Sequence, residues 1–470
     1  MLDSARRQST KTETKISLQD FRCFHKVPEI PLRPINILVG ENSTGKSSFL
    51  AAVRFLLALT QRTTKASFNK DPFFLGSYEQ IAHYRGGRYG RAKTFSFLMT
   101  GALDKEFVLR RVRVFMRDQQ NIPAELPDDF KIKFTFHNNR SQPAIYKVDF
   151  EAGPFSFSFS VETSQTSPRA KVSLRGPNVN AQYPPSGLIS TDRPVFDDPL
   201  SNELSDLDFV LQDARYSLSK GRSSKLIRDE LHIISNLYRS ALRVLPREVY
   251  ASAPVRSRPE RTYNPGESSP SPSGEHIPFV LAQIKAFDRS LWIDVARTLG
   301  RFGKSSGLFD AINIKQLSKT EGGPFQLIVD LNGSKSNIID VGYGVSQVLP
   351  IVTDVVRARE PTCFLFQQPE VHLHPKAQAE LATFLAQMVG SRRHTLFLET
   401  HSDYLIDRIR MEARDGRHIS PEDVSILFFE RAGKDVDVYT ITVDKQGNVR
   451  GAPKGYRAFF IEEEFRSLGG

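Results

Sequence analysis

Cysteine is almost missing from these 470 residues: Cys23 and Cys363 are the only two, and both sit in apolar, strand-like runs. A disulfide framework and a cysteine-based zinc site are thereby excluded, and a reducing cytosol is the compartment that fits. No stretch of 18 apolar residues occurs, so no membrane-crossing helix is expected. Residues 1–14 are polar and charged with no apolar segment and read as a flexible tail rather than a signal peptide or anchor. No internal repeat is visible. Charge of one sign is in modest excess, Lys plus Arg 64 against Asp plus Glu 53, a net +11. That balance suits a polyanionic partner such as nucleic acid, and equally a solvated basic surface. The length allows two or three domains and a substantial core.

One stretch organises the rest. Ile35-Asn-Ile-Leu-Val-Gly40-Glu-Asn42-Ser43-Thr44-Gly45-Lys46-Ser47-Ser48 is an apolar run that enters a glycine-bearing loop and leaves as an apolar helix from Phe49 to Leu59. The pattern G-x-x-x-x-G-K-S between a strand and a helix is a P-loop. Its glycines let backbone N–H groups turn toward phosphate oxygens, Lys46 reaches the β- and γ-phosphates, and the Ser47 hydroxyl ligates Mg²⁺.

Along the chain, Lys15 to Phe21 and Ile35 to Val39 read as strands on either side of a proline-rich turn, and Thr94 to Met99 and Phe107 to Phe115 as alternating strands. Short strands at 131–137, 144–151, 154–161 and 171–174, with Phe155, Phe157 and Phe159 at period two, predict antiparallel sheet. Residues 176–200 read as loop, and 203–218 and 224–245 as helices. Arg239, Arg243 and Arg247 recur every four residues; they would form a cationic stripe if the helix ran to Pro246, although a proline there favours an earlier stop and a merely solvated face. A basic loop, Ala253 to Tyr263, and a helical region from His276 to Gly300 follow. From Phe325 the texture is again α/β: strands at 326–331 and 337–340, the phrase Gly344-Val-Ser346-Gln347, a buried strand Thr362 to Phe366 ending in Gln367-Gln368-Pro-Glu370-Val-His372-Leu-His374-Pro, a helix, a strand His394 to Leu398 and the tip Glu399-Thr-His401-Ser. Strand, helix, strand predicts a parallel βαβ unit. Two further strands, at 424–429 and 436–443, and a helix near 456–468 close the chain.

The P-loop, the Gly-Val-Ser-Gln phrase, the Pro-Glu-Val-His-Leu-His-Pro strand end and Glu-Thr-His-Ser together resemble the soluble ABC-type ATPases related to the SMC and RecF proteins. More closely, the chain is similar to stand-alone prokaryotic AAA/ABC ATPases related to the OLD (overcoming lysogenization defect) nucleases, many of which sit in anti-phage defence operons, but without an acidic nuclease cluster after the ATPase. The resemblance implies an α/β fold: an ABC-type P-loop ATPase head split into 15–119 and 325–470, with an inserted α+β region, 120–324, between. It implies ATP and Mg²⁺ as cofactors, an ATP-sandwiched homodimer in which Gly344, Ser346 and Gln347 of one chain cap the γ-phosphate held by the other, His401 as the switch histidine, and residues 371–374 along the dimer seam. Gln80 is the candidate for the glutamine that touches Mg²⁺ and γ-phosphate, and Arg22 a candidate nucleotide contact. A partner effector in antiviral defence, with nucleic acid sensed or bound, is the implied role; a DNA repair or recombination ATPase and a nucleotide-gated scaffold are the alternatives.

One departure from the family pattern bears on chemistry. Where a Mg²⁺-linked or proton-accepting carboxylate is expected at the end of the strand 362–367, this chain has Gln367-Gln368. An amide orients water but takes no proton from it. Nucleotide binding is expected to survive, and hydrolysis to be weak unless Glu370 substitutes or the glutamines mark an engineered Glu→Gln change.

Overall fold

Every residue of Ile35–Gly40 is buried, as a strand apolar on both faces requires at the centre of a covered parallel sheet. The chain, a computed structural model, is described over residues 13–60, 66–87, 90–115, 123, 125–163, 168–183, 224–246, 248–264, 269–318 and 323–456. The sheet that contains Ile35–Gly40 has seven strands, in the order Glu248–Ser252, Thr362–Gln367, Thr395–Glu399, Ile35–Gly40, Val424–Ala432, Asp435–Val443 and Val449–Arg450. The first five are parallel, Asp435–Val443 runs antiparallel to them, and Val449–Arg450 is antiparallel to Asp435–Val443. The expected βαβ unit is present: Thr362–Gln367, the helix Pro375–Arg392, then Thr395–Glu399.

Strand alternation divides this sheet between two cores. Leu38, Leu365, Phe397 and Leu427 point into one, and Ile37, Val39, Phe364, Phe366, Leu396 and Leu398 into the other. The first core holds the helix Lys46–Thr60, in which Phe49 through Val53 and Phe55 through Leu59 are all buried; a helix apolar all round needs a partner on every side. That partner is a nine-stranded antiparallel sheet running from Asn180–Tyr183 through Pro168–Arg175, Phe155–Thr163, Gln142–Ala152, Asp129–Asn139 and Thr94–Ala102 to Lys15–Phe21 and Phe24–Lys26, with Ile30–Pro31 on Lys15–Phe21. Its phenylalanines, spaced two apart, line one face: Phe95 stacks on Phe136 at 5.0 Å, and Phe55 from the helix stacks on Phe68 at 3.6 Å. The second core is covered by Tyr343–Arg357, Pro375–Arg392, Asp403–Asp415 and the pair Ile277–Phe287 and Arg289–Ser306.

The region 120–324 is continuous with the head. Residues 129–183 extend the sheet that Lys15–Phe21 and Thr94–Ala102 begin, and Glu248–Ser252 is an edge strand of the parallel sheet. One expectation needs correction. Phe107 to Phe115 lies in a helix, Lys105–Phe115, not a strand: Asp104 Oδ1 accepts the Phe107 N–H and starts it, and Val108 and Val112, four apart, are buried. As the proline favoured, the helix that carries Arg239 ends at Leu242, short of Pro246; Arg243 stacks over the Phe107 ring at 4.4 Å, and Arg247 lies outside the described residues. Residues 337–340 form a strand end and a short 3-10 turn capped by Asn337, whose side chain accepts from Ile339 N–H. The expected helices at 203–218 and 456–468 lie wholly or almost wholly outside the described residues. Among the described residues no helix is long and apolar enough to cross a membrane.

Candidate active site at the strand tips

The P-loop joins the central strand to the buried helix. Gly40 has φ +142°, and a Cβ there would stand 2.4 Å from the Phe429 carbonyl oxygen; Gly45 has φ +84°, with the Cys23 sulfur 2.4 Å from its missing Cβ. Both positions therefore need glycine. Between them the loop is tied by its own groups: Thr44 Oγ1 donates to the Glu41 carbonyl at 2.7 Å, and Arg431 donates to the Ser43 carbonyl at 2.8 Å. Asn42 and Ser43 are exposed, and Ser48 is half-buried in the first helical turn. Lys46 Nζ is buried and donates to the carbonyls of Gly40 at 2.9 Å and Glu41 at 2.7 Å. An ammonium has three donors, which leaves one for a phosphate oxygen. Burial lowers the Lys46 pKa, and the carboxylates of Glu399 and Glu41 oppose that shift.

Sequence reasoning missed Glu399. Ser47 Oγ lies 3.1 Å from Glu399 Oε1 and 2.9 Å from Oε2, so the loop serine and this carboxylate face each other. Glu399 ends the strand beside Thr362–Gln367, in register with Gln367, whose side chain helps to hold the pKa of its carboxyl down. The strand Thr362–Gln367 does end in glutamine, and a carboxylate, Glu399, stands at the tip of the neighbouring strand facing Ser47. Burial raises the Glu399 pKa, while Ser47, Lys46 and Gln367 pull it down and Glu370 pushes it up.

Gln368 has a left-handed backbone, φ +44°, and its N–H donates to the Glu399 carbonyl at 2.7 Å. Its side chain is half-buried at the tip. Glu370 is buried; its Oε1 accepts from Thr400 Oγ1 at 2.7 Å and from His401 N–H at 2.9 Å, and its Oε2 has no hydrogen-bond partner. Burial raises the Glu370 pKa; the His401 and Thr400 donors and then Arg256 offset part of it. Arg256, in the basic loop 253–263, is fully buried beside it. His401 is exposed at the tip, and partial desolvation of its ring, then the Lys46 charge, lower its pKa. A neutral imidazole has one donor to offer a phosphate.

The signature phrase opens the helix Tyr343–Arg357, capped by Gly342. Gly344 is buried against residues 371–374, where a Cβ would stand 2.9 Å from the His372 carbonyl oxygen, and the Tyr343 ring meets the His372 ring edge-on at 4.9 Å. Ser346 Oγ donates back to the Tyr343 carbonyl at 2.8 Å, and Gln347 is buried with its Nε2 unpartnered. Gly342, Tyr343 and His372 are the exposed members. Gln80 is exposed, and its side-chain oxygen accepts the Ser77 N–H at 2.9 Å, closing a capping box on a four-residue helix. Arg22 donates to the carbonyls of Gln80 at 3.1 Å and Leu75 at 3.5 Å. The structure therefore brings Lys46, Ser47, Gln367, Gln368, Glu370 and His401 to one sheet edge, the place where ligands meet parallel sheets, and engages Gln80 and Arg22 with one another. No group of three or more His, Cys, Asp or Glu among the described residues is arranged to hold a metal alone.

Fold and site define a P-loop ATPase of the AAA/ABC type. The chain belongs to the family described as "AAA domain, putative AbiEii toxin, Type IV TA system", which it matches over residues 35–407. No curated protein matches it. Among solved structures it is similar to an SMC head bound to the C-winged helix domain of ScpA, with 13% identity, TM-score 0.41 and coverage of 92% of this chain and 98% of that one. It is also similar to an Smc head domain with an extended coiled coil bound to the C-terminal domain of ScpA derived from Pyrococcus furiosus, with 13% identity, TM-score 0.38 and coverage of 97% and 100%. A third is the SMC head domain from Thermotoga maritima, with 9% identity, TM-score 0.38 and coverage of 92% and 99%.

Proposed function

We propose that this protein is an ATP-gated switch. It holds ATP with Mg²⁺ at the P-loop, closes against a second copy so that the signature segment of one chain covers the nucleotide held by Lys46 of the other, and transmits the closed state to a partner effector in antiviral defence, with nucleic acid as the trigger. The observation that carries this reading is the lock between signature and seam, in which Gly344 packs on the His372 carbonyl and Tyr343 on the His372 ring, leaving an exposed edge at Gly342 and Tyr343. A rigid edge of this kind suits closure over a partner's phosphate. The +11 charge supports a nucleic-acid trigger, and the family's description, which names a toxin of a toxin–antitoxin system, supports the defence setting.

The donor set fits a magnesium nucleotide, since a serine hydroxyl, a carboxylate and a side-chain amide are the hard oxygen donors this ion takes together with phosphates and water. When bound, the ion neutralises charge on the β- and γ-phosphates. For turnover, Glu370 is the carboxylate at this tip that would take a proton from a water brought in with the nucleotide: its Oε2 is buried without a hydrogen-bond partner, and burial raises its proton affinity. The Gln368 amide orients that water, and His401 donates to the γ-phosphate.

Sedimentation with and without ATP and Mg²⁺ tests the switch, with the wild type expected to pass from monomer to dimer on adding nucleotide. Gly342→Glu adds a side chain where a Cβ meets nothing within 4 Å and φ is −55°, so the monomer is unstrained. It should bind ATP normally yet fail to dimerise. Normal ATP-driven dimerisation of this variant would remove the signature segment from the interface.

A further inference from the structure

The geometry points to Glu399 as the carboxylate that holds Mg²⁺ in this ATPase, the acid having been carried from the strand Thr362–Gln367 to its neighbour Thr395–Glu399. The assignment rests on the reading that ATP binds at the P-loop with Mg²⁺. Three independent features converge on it. Both oxygens of Glu399 lie within 3.1 Å of Ser47 Oγ, the hydroxyl that a P-loop turns to the metal. Gln367, which occupies the strand end where such an acid is expected, is the register partner of Glu399 on the adjacent strand, so the two residues stand side by side at the tip as ligand and neighbour. The strands are parallel and adjacent, so the tip of Thr395–Glu399 reaches the same edge as the tip of Thr362–Gln367, between that strand and the P-loop strand Ile35–Gly40.

The alternatives at this edge are otherwise engaged. Glu370 is fixed through Oε1 to Thr400 and His401 and faces Arg256, whose positive charge opposes a cation beside it. Gln80 spends its side-chain oxygen on the Ser77 N–H. Glu399 faces the Ser47 hydroxyl and the Gln367 side chain, and Lys46, the cation near it, donates to the Gly40 and Glu41 carbonyls and keeps its remaining donor for phosphate. Mg²⁺ bound by one carboxylate, one serine, phosphates and water is the arrangement nucleotide sites favour, and it needs no cluster of protein acids. The two glutamines therefore do not mark a disabled metal site. Gln367 is neutral beside the relocated acid, where a second carboxylate in register with Glu399 would set two like charges side by side.

The test reads the metal directly. Mn²⁺ is titrated into the full chain in the presence of a non-hydrolysable ATP analogue and followed by electron paramagnetic resonance, while nucleotide affinity is measured with a fluorescent ATP analogue in chelator. Glu399→Gln should bind nucleotide in chelator at least as well as wild type, since it removes a negative charge beside the phosphates, and should lose about 10–100-fold in Mn²⁺ affinity. The double variant Gln367→Asp with Glu399→Gln, which returns the acid to the expected strand, should recover most of that loss and gives a second reading should Glu399→Gln fail to fold. Mn²⁺ affinity within twofold of wild type in Glu399→Gln, or no recovery in the double variant, overturns the assignment alone. A wild-type chain that binds no nucleotide in either condition overturns the ATP reading beneath it.

Discussion

Arg256 Nη2 donates to the carbonyls of Gln367 at 3.3 Å and Gln368 at 3.2 Å, so a buried guanidinium clamps the backbone on which both tip glutamines stand. Its Nε and Nη1 have no hydrogen-bond partners, and Glu370 Oε2 has none either. The cation thus serves two ends, holding the left-handed turn at Gln368 and offsetting the buried Glu370 charge. Arg256→Met keeps the volume and removes both services. It should cost about 1–3 kcal/mol in urea unfolding, the scale for leaving buried hydrogen-bonding groups without their partner. A cost below about 0.5 kcal/mol would show the clamp to be idle.

Lys46→Ala is expected to abolish ATP binding, since the residue is the loop's phosphate-directed cation. The structure adds a stability cost that the sequence did not suggest. Lys46 is buried and donates to two loop carbonyls, and its charge lowers the pKa of Glu399. Removing it should cost about 1–2 kcal/mol in unfolding experiments through the unpaired carbonyls. Fluorescent-nucleotide titration reads the binding loss, and unchanged affinity would contradict the P-loop assignment.

What was legible in the sequence is what is local. Gly40 to Ser48 carries its own spacing rule, and the apolar run Thr362 to Phe366 followed by a helix and a second apolar strand announces parallel sheet without any tertiary knowledge. Glu399 was not legible as a ligand because its partner Ser47 lies 352 positions away, and only the strand order places the two tips together. Phe107 to Phe115 misled because Arg111-Val112-Arg113-Val114 alternates polar and apolar; the capping Asp104 was the signal available. The arginine spacing at 239, 243 and 247 was undone by the stop before Pro246, which the sequence itself contains.

Stability should fall in acid through His394. This imidazole is buried, meets the Phe364 ring edge-on at 5.2 Å, and accepts the Thr362 N–H through Nδ1 at 3.2 Å, which requires the unprotonated nitrogen. Burial, and then the nearby Arg392 charge, lower its pKa to about 4. The sign follows: below the unfolded value, about 6.5, the unfolded chain binds a proton that the folded chain refuses. Its contribution is complete above pH 6.5 and is lost as pH falls toward 4, with a slope of at most about 1.4 kcal/mol per pH unit. Urea midpoints for wild type and His394→Gln from pH 7 to 4.5 check this. The wild-type curve should fall more steeply, and parallel curves would remove His394 from the acid response.

Glu370→Gln separates binding from turnover. The glutamine keeps an oxygen for the Thr400 hydroxyl and the His401 N–H, so the tip stays in place, while an amide nitrogen replaces the free Oε2 that takes the proton from water. Phosphate release should fall by about 10²–10⁴-fold, the usual loss for one positioned base, with nucleotide affinity held within a few-fold and the ATP-bound dimer longer-lived. Arg256 then faces an amide in place of a carboxylate, so a modest drop in melting temperature should accompany the change. Single-turnover phosphate release beside sedimentation in ATP reads both effects on one preparation. Turnover equal to wild type would move the base away from Glu370 and leave the orienting amides Gln367 and Gln368 beside some other proton acceptor.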